Sequence, residues 1–179
     1  RKIAAVRSFF QFLAEEGEIT TSPAGKLKAR RQGRSLPDVL DEEAVVALLK
    51  AASEGPGAEG VRDRAMLELT YAAGLRVSEV VGPTGIDLSS LNLDDGWVRV
   101  LGKGSKERVV PLYPGIAERL RYFIREARPV LMARGDSRRA APRAVFLNAQ
   151  GRPLTRQGYW LVLNRAVAAS GITTKVSPH

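Results

Sequence analysis

The chain has 179 residues, 44% of them hydrophobic, which is enough for one ordinary domain core or for one domain and part of another. Zero cysteines and one histidine exclude a disulfide framework, a thiolate metal site and a histidine cluster for zinc. No apolar run reaches membrane-spanning length and no signal-peptide pattern opens the chain, so a cytoplasmic protein is expected. Its 28 Lys and Arg against 19 Asp and Glu give a formal charge of +9, which points to an anionic partner, nucleic acid first.

Ile3, Val6, Phe10 and Leu13 recur at helical spacing, so residues 2 to 15 are expected to form an amphipathic helix. The pattern is already under way at Arg1, as expected for the last helix of a domain whose earlier part is missing. Residues 24 to 36 lose the periodicity and carry Lys26, Lys28, Arg30, Arg31 and Arg34 without an acid between them. Two readings of this basic linker stand: a solvated connector, or a strap making phosphate contacts. Asp41 is placed to cap a helix whose buried face would be Val45, Val46, Leu48, Leu49 and Ala52. After a Gly/Pro break at 55–60, Val61, Ala65, Leu69 and Ala72 mark a second helix, widened by Met66 and Leu67, that stops at Gly74. The pattern puts Tyr71 inside it. Arg76 follows that stop, so the turn fixes where its fork of donors points.

Asp94-Asp95-Gly96 is a turn signal, Trp97–Leu101 alternates like a strand, and Arg108 to Leu112 supplies its antiparallel partner. The connecting hairpin holds Lys103 between Gly102 and Gly104. A phosphate loop is excluded there, because five residues rather than four separate Gly96 from Gly102-Lys103 and another glycine follows the lysine. The dinucleotide fingerprint fails too, since Glu107 stands where its third glycine belongs and a strand follows. By itself this segment reads as a surface turn that carries a lysine.

From Pro114 a helix presents Ile116, Leu120, Phe123, Ile124, Ala127 and Leu131 on one face and Glu118, Arg119, Arg121, Arg125 and Arg128 on the other, with Pro129 expected to kink or end it. An Arg-rich loop leads to a short apolar strand, Val145–Leu147, and a turn at Gln150-Gly151. Thr155 then caps a helix reaching Ser170, with Gly171 as its stop. Arg156 and Gln157 sit in its first turn, where a cation opposes the helix dipole and so implies a partner elsewhere. The whole is a mainly α chain with a small antiparallel sheet, in the α+β class.

Four blocks in this order resemble the tyrosine recombinase family, and within it the Xer type. They are Thr70-Tyr71-Ala72-Ala73-Gly74-Leu75-Arg76-Val77-Ser78-Glu79; Val98 through Gly102-Lys103-Gly104-Ser105-Lys106-Glu107-Arg108 to Leu112; Leu154-Thr155-Arg156-Gln157-Gly158; and Ser177-Pro178-His179. The resemblance implies residues 1–23 as the last helix of an incomplete core-binding domain, 24–36 as the basic linker and 37–179 as an incomplete catalytic domain. It implies Arg76, Lys103 and His179 as catalytic residues. Arg156, Gln157, Lys106, Arg108, Lys26, Lys28, Arg30 and Arg31 would contact DNA.

In that family a tyrosine hydroxyl attacks a phosphodiester to give a 3′-phosphotyrosine, with no metal or other cofactor required. Cations stabilise the non-bridging oxygens, and an acid protonates the leaving 5′-oxygen; Arg76, His179 and Lys103 match those roles. The partner implied is a double-stranded recombination site, held by a tetramer. The family's second Arg, its later His or Trp and its nucleophile belong beyond His179, while Tyr71, Tyr113, Tyr122 and Tyr159 lie outside the nucleophile motif. The chain as given is therefore expected not to cleave DNA. Chromosome-dimer resolution is the leading expectation, beside a phage or transposon integrase and a truncated, non-catalytic DNA-binding regulator.

Overall fold

A computed structural model describes residues 2–27, 39–102, 106–136, 142–174 and 176. Lys28, Arg30, Arg31, Lys103 and His179 lie outside the described residues, as does the side chain of Lys26. The chain forms two compact units, Arg1–Pro37 and Asp38–His179. No helix among the described residues is long and apolar enough to cross a membrane.

In the first unit, α1 spans Lys2–Glu15 and a 3-10 turn spans Pro23–Lys26, with the Arg7 guanidinium donating to the Leu27 carbonyl. The helix matches the sequence reading, but no residue on it is fully buried, and Phe9 and Phe12 are exposed.

The second unit is built around α3 (Gly57–Ala72), which packs against α2 (Glu42–Ser53) and the later helices. Asp41 caps α2, its carboxylate accepting from the Ala44 N–H at 2.8 Å. Val45, Leu48 and Ala52 are buried as the spacing predicts, whereas Val46 is exposed: it lies off the stripe that meets α3 and α7. α3 starts inside the expected Gly/Pro break, because Pro56 in extended conformation serves as its N-cap. Its end is a Schellman motif, with Gly74 at φ 58°, the Gly74 N–H donating to the Tyr71 carbonyl and the Leu75 N–H to that of Thr70.

A short helix α4 (Val77–Val80) leads to a three-stranded antiparallel sheet in the order β1 (Leu91–Asn92), β2 (Trp97–Leu101), β3 (Glu107–Pro111). Val98 and Val100 of β2 point into the core and pair with Val110 and Arg108. α5 (Pro114–Tyr122) continues through a π-helical turn, Phe123–Ala127, into α6 (Arg128–Met132). The helical run therefore does not end at Pro129, one of the two outcomes expected there. The widened turn, closed by the Arg128 N–H donating to the Phe123 carbonyl, falls just before it, where an α-helix would need the N–H that proline lacks.

Arg128, assigned to the solvent face by its spacing, is buried and forks onto the carbonyls of Pro142, Ala144 and Val145. These bonds hold the segment Val145–Leu147, which is buried but has isolated bridges only at Ala144 and Leu147, not the expected strand. Phe146 stacks on Phe123 at 5.4 Å between ring centroids. Each such fully buried large side chain contributes about 1.5–3 kcal/mol. The last helix, α7 (Arg156–Ser170), has the expected Thr155 cap, accepting from the Gly158 N–H at 3.0 Å, and the expected left-handed Gly171.

Candidate functional site

Arg76 stands at the N-cap of α4, directly after the Schellman turn that ends α3. Three residues on, at the position of the second partner in a capping box, Glu79 reaches back so that one carboxylate oxygen accepts from the Arg76 N–H at 2.8 Å. Its other oxygen accepts from the Arg76 guanidinium at 3.3 Å. The Arg76 side chain remains 65% exposed while that of Glu79 is 3% exposed, so a buried anion fixes the base of an outward-facing cation.

Glu79 is also gripped from β3. Arg108 donates Nη1–H to Oε1 at 2.7 Å and Nη2–H to Oε2 at 3.0 Å, a fork-to-fork pair. This grip, opposed by burial and helped by the Arg76 contacts, lowers the carboxyl pKa from its ordinary 4.5 to about 2. Because the folded value lies below the unfolded one, the stabilisation is complete above about pH 4.5 and disappears as pH falls towards 2. Two guanidiniums on one carboxylate leave the cluster with a net positive charge at neutral pH, aimed at solvent through Arg76. The sequence motif contained Glu79 without giving it a role; the signal was its spacing of three from a residue just past a helix stop.

Arg76 and Arg108 also line a cavity of about 820 Å³, whose other walls include Leu48, Leu67, Tyr71, Tyr159 and Leu163. Tyr71, which the periodicity placed inside α3's buried pattern, is 63% exposed there, because two residues on from the buried Leu69 it faces the other side of the helix. Tyr159 is buried; burial pushes its phenol pKa up, against a hydrogen bond with Thr70, and keeps it protonated.

Of the remaining expected contacts, Lys106, Arg108, Arg156 and Gln157 belong to the chain's second unit. Lys106 is exposed at the foot of β3, its carbonyl accepting from the Gly102 N–H at 2.8 Å and so closing the base of the Lys103 hairpin. Gly82, at φ 94°, donates its N–H to the Leu154 carbonyl at 3.1 Å, which pins the start of α7 beside the end of α4. Arg156 and Gln157 are thereby held, both exposed, on an element adjoining the one that carries Arg76. Arg156 has no ion pair among the described residues, so the partner implied by its place at the positive end of the dipole is not supplied by them. Arg108 is half-exposed, and its grip on Glu79 leaves only its outward N–H groups for a further ligand.

This mainly helical fold with its three-stranded sheet is that of tyrosine recombinase catalytic domains. It superposes on the crystal structure of XerA recombinase with a TM-score of 0.63 and 18% identity, over 97% of this chain and 63% of that one. On a lambda integrase tetramer bound to a Holliday junction the TM-score is 0.70 with 18% identity, over 98% of this chain and 46% of that one. The chain belongs to the phage integrase family, which matches residues 38–179. Over all 179 residues it is 38% identical to the tyrosine recombinase XerD of Staphylococcus saprophyticus, of which it spans 58%.

Proposed function

We propose that the chain is the DNA-binding and phosphate-clamping part of an Xer-type site-specific recombinase, acting on a double-stranded recombination site as one subunit of a tetramer. The observation that carries this reading is Arg76: an exposed guanidinium, fixed through its own backbone and side chain to a buried carboxylate that a second arginine holds ionised. Such a group is preorganised for the charge that develops on a phosphate's non-bridging oxygens. The 38% identity to a XerD relative over all 179 residues, 58% of that relative's length, favours the Xer reading, with chromosome-dimer resolution as its role, over a phage or transposon integrase. The tetramer bound to a Holliday junction among its structural neighbours supports the assembly.

In a recombinase carrying this chain together with a nucleophilic tyrosine, Arg76 and His179 stabilise the phosphorane-like transition state. Lys103, in the segment that joins β2 to β3, protonates the leaving 5′-oxygen. The test of Lys103 is a substrate whose leaving oxygen is replaced by sulfur, which departs without a proton. Lys103→Ala is expected to recover cleavage on it and Arg76→Ala is not; absence of recovery removes Lys103 from the acid role.

DNA recognition divides between α7 and the linker. Arg156, at the start of α7, reads a base in the major groove, a contact that discriminates by about 1–3 kcal/mol, whereas Lys26, Lys28, Arg30 and Arg31 meet phosphates. Competition binding with a randomised half-site tests the division. Arg156→Ala should flatten preference at one base pair with little change in salt slope, and neutralising the linker should weaken all sequences alike and make the slope shallower. Unchanged base preference in Arg156→Ala would remove α7 from the groove.

A further inference from the structure

The two sides of α7 differ sharply. Tyr159, Val162, Leu163 and Ala166 are buried in the core of the second unit. At 100° per residue, Gln157, Trp160, Leu161 and Asn164 fall together on the opposite side, and all four are exposed. This stripe is not built for water. Leu161 is 72% exposed and Trp160 38% exposed, the stripe carries no charged residue, and neither Gln157 nor Asn164 makes a side-chain hydrogen bond among the described residues.

Its surroundings select the partner. α7 contains no acidic residue, Arg156 borders the stripe on one side, and Arg165 borders it on the other, anchored to Asp63. Positive flanks around a neutral, hydrogen-bonding and partly apolar centre complement a groove whose rims are phosphates and whose floor presents base edges and methyl groups. The spacing i, i+3, i+4, i+7 is also the one with which a single homeodomain helix reads the major groove.

We propose that Leu161 and Asn164 read base edges beyond those reached by Arg156 and Gln157: Asn164 an adenine, through its N6 and N7, and Leu161 the methyl group of a nearby thymine. The assignment rests on the placement of α7 in the major groove given under the proposed function. At 1.5 Å per residue, Leu161 and Asn164 are about 4.5 Å apart along the helix, a little over one base-pair step of about 3.4 Å. Gln157 and Asn164 are about 10.5 Å apart, near three steps, so the stripe spans adjacent pairs of one half-site. A carboxamide pairs bidentately with adenine, and an aliphatic side chain meets a thymine methyl, which gives each residue one preferred base.

The experiment is competition binding of the full-length protein to a randomised half-site, with sequencing of the bound pool. Asn164→Ala is expected to reduce an adenine preference at one base pair by about tenfold, and Leu161→Ala to reduce a thymine preference close to it, both with unchanged salt slope. Asn164→Asp, which accepts but cannot donate, should move that preference from adenine to cytosine. Both side chains lie outside the buried core of the described residues, so these variants remove no core contact there. Unchanged preferences in all three, with one position flattened in Arg156→Ala, overturn the inference and leave α7 in the groove. Unchanged preferences in Arg156→Ala as well withdraw the recognition-helix reading together with it. Weakening of all sequences alike, or loss of subunit assembly with base preferences intact, also overturns it, the latter by making the stripe a protein contact.

Discussion

Arg76→Lys, in a recombinase that carries this chain with its nucleophile, is expected to lose strand cleavage by about 10²–10³-fold while site binding changes little. Lysine keeps the charge but not the planar fork. The Arg76 guanidinium spends one N–H group on Glu79 at 3.3 Å and otherwise stays exposed, so on the proposed reading orientation and charge come from the same group. An ammonium on a flexible stem must either bond Glu79 or face the phosphate. Binding survives because the clamp is one among many backbone contacts. Cleavage and binding measured in parallel decide the matter: equal losses in both would make Arg76 a structural residue.

The second large effect is on stability and needs no DNA. Asp63 is fully buried in α3, where it accepts from Arg62 Nε–H at 2.7 Å and pairs with Arg165 of α7. Arg62, also buried, donates onward to the Leu147 carbonyl at 2.9 Å. Burial pushes the Asp63 carboxyl pKa up and the two guanidiniums oppose it. Asp63→Ala leaves the buried Arg62 charge without its counter-ion, and breaking a buried pair from one side costs about 3–5 kcal/mol. Denaturant unfolding of the chain should show that loss as a lower midpoint with unchanged slope. A loss below about 1 kcal/mol would mean that water reaches the site and the network is not a structural anchor. Arg165→Ala, whose guanidinium is half-exposed, should cost far less.

These two clusters also show where a sequence stops being informative. Arg76 was legible because a glycine stop and the turn after it are local events, set by residues within one helical turn of it. Arg108 was legible only as a basic residue on a hairpin. Its partner, Glu79, is 29 positions away, and nothing in the pattern of β3 says which carboxylate its fork will meet. Arg165 and Asp63 are 102 positions apart, and Arg62 and Leu147 are 85 apart. A charged residue in an amphipathic pattern is counted as solvent-facing, so Arg128 was assigned outward although its fork ties three carbonyls of a distant segment.

By itself the sequence determined the order of the longer helices, the caps at Asp41 and Thr155, the left-handed stops at Gly74 and Gly171, and the hairpin strands, because hydrogen bonds at helix ends and in tight turns are satisfied by neighbours in the chain. It also determined the four ordered blocks that carry the family. Only the tertiary structure decided that Glu79 joins Arg76 to Arg108, that Val46 and Tyr71 face outward, that a π-helical turn absorbs Pro129, and that α7 turns an uncharged stripe with an exposed leucine away from the core. Those outcomes depend on which surfaces meet when α2, α3, β3 and α7 pack, and close packing is a property of the assembled elements, not of the local pattern of any one of them.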